Sequence, residues 1–166
     1  MDCDENSRSG ADLKTQSFYV RQIQASIDNL KETVDDAMDY FSKVYGEMGE
    51  STYLELKVVL NELLINAIKH GSKEDVAKQV KLVAGLTDGE CALLVVEDDG
   101  DGYDVNLLEQ CRKIGRNINV SGSEQDDINS INESGRGIFI VKSLCEDFMV
   151  NEKGNKIVVN KKLSHD

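Results

Sequence analysis

Ile27, Leu30, Val34, Ala37, Phe41 and Val44 recur at intervals of three and four, the spacing of one helical face, and predict an amphipathic helix. The same spacing returns in Tyr53, Leu56, Leu60, Leu63 and Ala67. Ahead of that stripe, Thr52 and Glu55 form the Thr-x-x-Glu arrangement of a capping box, and Gly71 supplies a stop behind it. Ile138, Val141, Leu144 and Phe148 predict a third helix. Elsewhere the period is two. Residues 16–23 set Phe18, Val20 and Gln22 against Tyr19, Arg21 and Ile23, as a short strand with mixed faces. Val80, Leu82, Ala84 and Leu86 alternate with more polar neighbours. Residues 91–97 are apolar at almost every position, as in a central strand buried on both faces. Asp88-Gly89 between these two runs is a hairpin signal. Residues 148–152 and 156–162 read as a closing hairpin about Lys153-Gly154-Asn155.

The predicted order is β-α-α-β-β-(lid)-α-β-β. Hairpins and clustered helices make the class α+β, a two-layer sandwich of a mixed, mostly antiparallel sheet with helices on one face. Residues 1–15 are polar and read as a disordered tail, and residues 16–166 as one domain. A short helix is expected over residues 105–114. The polar stretch that follows is too long for an ordinary connection, so residues 103–134 read as a lid.

Charge and composition narrow the function. A formal net charge of -12 argues against direct binding to nucleic acid, which needs a lysine- or arginine-rich surface. It permits a basic protein partner, or a nucleotide held in a local pocket with a metal. No apolar run has the length of a membrane span, and the acidic N-terminus lacks the order of a signal peptide, so a cytoplasmic protein is expected. The four cysteines show no metal-binding spacing and are expected to be free thiols.

Three polar motifs carry the candidate chemistry. Glu62 and Asn66 lie four apart, one turn above the other on one helical face. Taken alone, that pair is an ordinary solvent-facing feature. Asp98-x-Gly100-x-Gly102 ends the central strand, and Gly135-x-Gly137 opens the third helix. Each glycine motif alone is most often a turn. In combination they suit a nucleotide. A carboxylate at a strand end can accept the exocyclic amine of adenine and would repel the carbonyl of guanine. Gly100 and Gly102 let base and ribose lie against backbone. Gly135 and Gly137 offer amides at a helix N-terminus to phosphate. Asn66 offers an oxygen to magnesium, and Glu62 could take a proton from a nucleophile.

This ordered set resembles the Bergerat-fold ATPases, the histidine-kinase-like ATPase fold. Glu62 and Asn66 match the family's N box, Asp98, Gly100 and Gly102 its first glycine box, and Gly135 and Gly137 its second. Asn66-Ala67-x-x-His70-Gly71 and the run from Gly135-Arg136-Gly137 to Leu144 are most similar to the small anti-sigma-factor serine/threonine kinases. The resemblance implies ATP as substrate and Mg2+ bound through Asn66, with Glu62 as, or positioning, the general base, Asp98 reading adenine, and the glycines shaping the pocket. It implies a sigma factor and an anti-sigma-factor antagonist as partners, and a homodimer. Arg136 reaches a phosphate or is a surface arginine, and His70 closes its helix favourably at the negative end of the dipole. Asn155 stands where the family often has threonine, and it too can hydrogen-bond. The leading expectation is therefore an ATP-dependent serine/threonine protein kinase that phosphorylates an antagonist and sequesters a sigma factor. The alternative is a non-enzymatic module whose nucleotide sets partner affinity. The catalytic domain of a histidine kinase ranks third, because the short tail leaves no room for a phosphoacceptor hairpin.

Overall fold

The computed structural model describes residues 17–102 and 133–165. The expected tail, the helix at 105–114 and nearly all of the expected lid lie outside the described residues.

Five strands form one sheet: β1 (Tyr19–Gln24), β2 (Gln79–Thr87), β3 (Cys91–Asp98), β4 (Asp147–Val150) and β5 (Lys156–Lys162), in the order β1-β2-β3-β5-β4. The mostly antiparallel sheet expected from the hairpins is antiparallel at every described pairing. The β2–β3 turn follows from its sequence. Asp88 (φ 52°) and Gly89 (φ 75°) are both left-handed, as the centre of a primed turn requires, and the Glu90 N–H donates to the Thr87 carbonyl. The last strand then inserts beside β3, with Cys91 opposite Lys162, and makes β3 central.

Helices α1 (Leu30–Val44), α2 (Glu50–Asn66) and α3 (Glu133–Leu144) complete the described fold. One core joins them to alternate strand residues. Val34, Ala37, Met38 and Phe41 of α1 and Leu56, Val59, Leu60 and Leu63 of α2 cluster with Ile23, Val80, Leu82, Ala84, Leu94, Val96, Ile157 and Val159 of the sheet. Burying a side chain such as Phe41 contributes about 1.5–3 kcal/mol. Among the described residues, no helix is long and apolar enough to cross a membrane.

The structure revises several local expectations. Of the two faces expected over residues 16–23, the one with Tyr19, Arg21 and Ile23 turns inward, while Val20 of β1 and Phe18 just before it are 57% and 51% exposed. In β3, Ala92, Leu94, Val96 and Asp98 are buried, but Cys91, Leu93, Val95 and Glu97 are only half-buried, because the helices cover one face. A 3-10 turn, Ile27–Asn29, precedes α1 and is capped by Ser26, so Ile27 lies outside the helical stripe. Thr52 and Glu55 do not form a capping box. The N-cap of α2 is Gly49, and Thr52 sits inside the helix, its hydroxyl 2.7 Å from that of Ser164. Glu55 instead pairs with the buried Lys161, which also donates to the Leu144 carbonyl at the end of α3. Tyr53 leaves the core stripe at 37% exposure. Phe148 belongs to β4, not to α3.

Candidate functional site

The site assembles where α2 ends. Past Asn66 the helix widens into a π-helical turn, Ala67–Gly71, in which the Ser72 N–H donates to the Ala67 carbonyl. Such turns recur at functional sites. Lys73 (φ 56°) and Glu74 (φ 54°) then hold left-handed backbone, a strained way out of the helix that roughly 1–3 kcal/mol per residue of surrounding structure must offset. The widened turn carries Gly71 to Asp98. A Cβ at Gly71 would overlap the Asp98 carboxylate, and a Cβ at Gly100 would overlap the Gly71 carbonyl. Glycine is required on both sides of this contact. Gly71 is therefore more than a helix stop, a role that helical spacing alone does not reveal.

Asp98 is 2% exposed. Its Oδ1 accepts the Gly100 N–H at 2.7 Å. Its backbone is held on both sides by Asn155: the Asp98 N–H donates to the Asn155 carbonyl (2.9 Å), and Asn155 Nδ2 donates to the Asp98 carbonyl (2.8 Å). Asn151 in turn holds Asn155, donating to its side-chain oxygen and accepting its N–H. Asn155 thus fixes the carboxylate's mounting, and Asn151 was not singled out by the sequence reading. Burial pushes the Asp98 carboxyl above its usual range, against the Gly100 N–H and Lys153, which lower it. Asp99 differs. It is exposed, and its Oδ2 accepts the Gln79 N–H, extending the β2–β3 ladder. Gly102 (φ 94°) approaches the β4–β5 turn so closely that a Cβ would overlap the Lys153 carbonyl. At Gly100 and Gly102, then, the close approach is by the protein's own backbone, where a base and ribose were expected.

The other half of the site lies between α2 and α3. The third helix begins at Glu133, two residues ahead of the expected opening, so Gly135 lies in its first turn and Gly137 in the next. A Cβ at Gly137 would overlap Glu62 Oε2 and come within 3.2 Å of Asn66 Nδ2. The absent side chain lets α3 close onto the Glu62–Asn66 face. Burial pushes the Glu62 carboxyl above its usual range. Asn66 is 2% exposed, and its buried Nδ2 has no partner among the described residues. Leaving such a group unpaired costs about 1–3 kcal/mol, a cost that a ligand with a matching polar atom removes. A carboxamide can also turn over to present its oxygen. The Ser72 hydroxyl is likewise buried and unpartnered. Arg136 is exposed on α3, and His70 closes the π-helical turn as an exposed residue.

These contacts bring the three motifs together: Glu62 and Asn66 meet Gly137, and Gly71 behind them meets Asp98 and Gly100. A methyl group at Gly100 would press on backbone that has no rotamer to yield. Gly100→Ala should therefore cost about 1–3 kcal/mol. Its thermal midpoint should fall by several degrees, and its nucleotide affinity with it; an unchanged midpoint would refute the tight contact.

Comparison with known proteins places this site in context. Residues 23–161 match the histidine kinase-like ATPase domain, a span containing all three motifs. Serine-protein kinase RsbW of Bacillus subtilis is 24% identical over 66% of this chain, which spans 64% of that protein, slightly under two thirds. The anti-sigma F factor of Clostridium perfringens is 28% identical over 93% of this chain and 92% of its own length. A solved structure, the histidine kinase domain of a blue-light activated histidine kinase from Erythrobacter litoralis, aligns with 82% of this chain and 61% of its own at 20% identity, with a TM-score of 0.45. By the match over residues 23–161, the chain belongs to the histidine kinase-like ATPase domain family.

Proposed function

We propose that the protein is a Mg-ATP-dependent serine/threonine kinase that phosphorylates an anti-sigma-factor antagonist and sequesters a sigma factor. The observation that carries this reading is the carboxylate of Glu62, held between α2 and α3 against Gly137, one turn from the unpartnered Asn66. A protein that only bound nucleotide would not need an acid there. The two relatives bear the names serine-protein kinase and anti-sigma F factor, which agree with both halves of the proposal.

In this reading Asp98 accepts the exocyclic amine of adenine. Asn66 would hold a magnesium ion, which would supply charge neutralisation at the phosphates. Gly135, Arg136 and Gly137 face the phosphates. The acceptor oxygen bonds to the γ-phosphorus as the bond from that phosphorus to the bridging oxygen breaks. ADP leaves with the electron pair, and the hydroxyl proton passes to Glu62. Labelled ATP incubated with antagonist proteins from the same genome should put acid-stable phosphate on a serine or threonine. Acid-labile label would point to histidine. Tight ATP binding with no labelling, but with ATP-dependent affinity for a sigma factor, would leave the non-enzymatic binding module.

The proposed partners include a second copy of the chain. The sheet register aligns Val20, Val83, Val95, Val158 and Met149 in one row across all five strands, on the face away from the helices. Val20 and Met149 are 57% and 56% exposed. Apolar rows of this kind on an open face mark interaction sites. Val95→Lys should convert a dimer to a monomer in sedimentation velocity without loss of ATP binding. A persisting dimer would move the interface elsewhere.

A further inference from the structure

Helices α1 and α2 lie side by side, and α1 has an ordinary solvent face, with Lys31, Glu32, Asp39 and Lys43 exposed. On the outer arc of α2, beside the polar Ser51 and Asn61, stand three apolar residues: Leu54, 54% exposed, Val58, 40% exposed, and the half-buried Ile65. At 100° per residue these fall within roughly 40° of the helix circumference. The opposite flank, with Leu56, Leu60 and Leu63, is fully buried in the core. A helix apolar on both sides is the pattern of one covered on both sides.

Position identifies what covers it. Leu54, Val58 and Glu62 are spaced four apart, so the exposed stripe leads along α2 to the proposed base. Helix α3 runs antiparallel beside it. Gly137 meets Glu62 at one end, and at the other Lys161 joins Glu55 to the Leu144 carbonyl. Ile140 of α3, 37% exposed, therefore opens to solvent at the level of Val58. The charges bordering the stripe are already paired, Lys57 with Asp35 and Lys161 with Glu55. Apolar side chains set among polar residues and paired charges are the make-up of a protein contact. Because the core blocks one flank of α2, a hydroxyl delivered to Glu62 arrives from outside that flank, and this surface borders Glu62 there.

We propose that Leu54, Val58 and Ile65 of α2, with Ile140 of α3, form the docking surface for the protein that accepts the phosphoryl group. Apolar side chains near its serine or threonine seat here and carry the hydroxyl to Glu62. The inference rests on the kinase reading above, and it names how that site selects its substrate.

The test is a double variant, Leu54→Gln with Val58→Gln, with Ile140→Gln as an independent second variant. Glutamine keeps helix propensity, and all three positions are exposed, so the fold should persist. Rates are measured against the concentration of the antagonist that wild type labels. Affinity for that antagonist is measured separately with a non-hydrolysable ATP analogue. The double variant should raise the antagonist KM and Kd about tenfold, the effect of losing one good anchor. Rate at saturation and ATP affinity should stay within about twofold of wild type, a split that general destabilisation would not give. Unchanged KM and Kd would overturn the proposal. So would an unchanged KM with lost sigma-factor affinity, or a dimer converted to a monomer, since each assigns the surface to another partner. If wild type binds the antagonist without labelling it, the kinase reading fails while the Kd comparison still decides docking. If wild type neither binds nor labels any antagonist, both fall.

Discussion

Asp98→Ala should abolish ATP binding in calorimetry, whereas Asp99→Ala should weaken it only slightly. Asp98 is buried with one oxygen on the Gly100 N–H, and its backbone is bonded to Asn155 in both directions, so the carboxylate cannot turn away. A rigid acceptor aimed at one donor discriminates by about 10⁴–10⁵ against a partner lacking the match, and removing the acceptor forfeits that term. Asp99 has its carboxylate on the Gln79 N–H in the sheet ladder and faces solvent. If calorimetry ranked the two in the opposite order, the adenine reader would move by one residue and the pocket would have to be redrawn. Asp98→Asn should separate function from stability. Burial raises the Asp98 pKa in the folded state, so the fold favours the protonated acid. That contribution is complete below the unfolded value of about 3.9 and is lost as pH rises through the folded value. At neutral pH the nucleotide-free Asp98→Asn protein should therefore melt higher than wild type, with the gap closing on acidification, while its ATP binding is lost.

Glu62→Ala should leave ATP affinity nearly intact and reduce phosphoryl transfer by about 10²–10⁴-fold, the usual contribution of a general base. Glu62 faces Gly137 at the mouth between two helices and not the Asp98 end of the site, so its loss spares the base-reading contacts. Asn66→Ala should lose productive Mg-ATP binding and transfer together. Because burial raises the Glu62 pKa, the wild-type rate should climb with pH through a value above the ordinary glutamate 4.3 and then level off. Glu62→Gln should remove that limb. Transfer at the wild-type rate by Glu62→Ala would show that the proton goes elsewhere.

Periodicity conveyed most of the architecture because the core is built from long, regular stretches. Val34, Ala37 and Phe41, and Leu56, Leu60 and Leu63, are buried where their spacing places them, and Asp88-Gly89 makes the turn its chemistry demands. The errors fall where tertiary partners override local pattern. Thr52 and Glu55 have the spacing of a cap, but Ser164 and Lys161, over a hundred residues away, claim their side chains. Alternation over residues 16–23 left open which face of the strand meets the helices, and the structure turns Phe18 and Val20 outward. The polar residues of the site were legible as motifs. The reasons for its glycines were not, because each one answers an approach from elsewhere: Gly71 to Asp98, Gly102 to Lys153, Gly137 to Glu62. No local pattern encodes the approach of a distant segment. Asn155 drew notice only as a departure from the family's threonine, and its two bonds to the Asp98 backbone now explain why asparagine serves there.

The place of β5 between β3 and β4 has a consequence for synthesis. Strand β3 is central, yet the partner along its second edge is the last strand of the sequence, roughly sixty residues later. At about 5–20 residues per second a ribosome needs roughly 3–12 s to cover that distance. Throughout that interval the apolar β3 has one edge unpaired, the condition under which strands recruit other chains. Fast, crowded expression should favour aggregates, and slower or cooler expression should favour soluble protein. Asn155 and Lys161 arrive with that same segment, so the mounting of Asp98 and the link between α2 and α3 are completed only once β5 has been made. ATP then binds only after β5 is in place, and by mass action it draws late folding intermediates toward the native state.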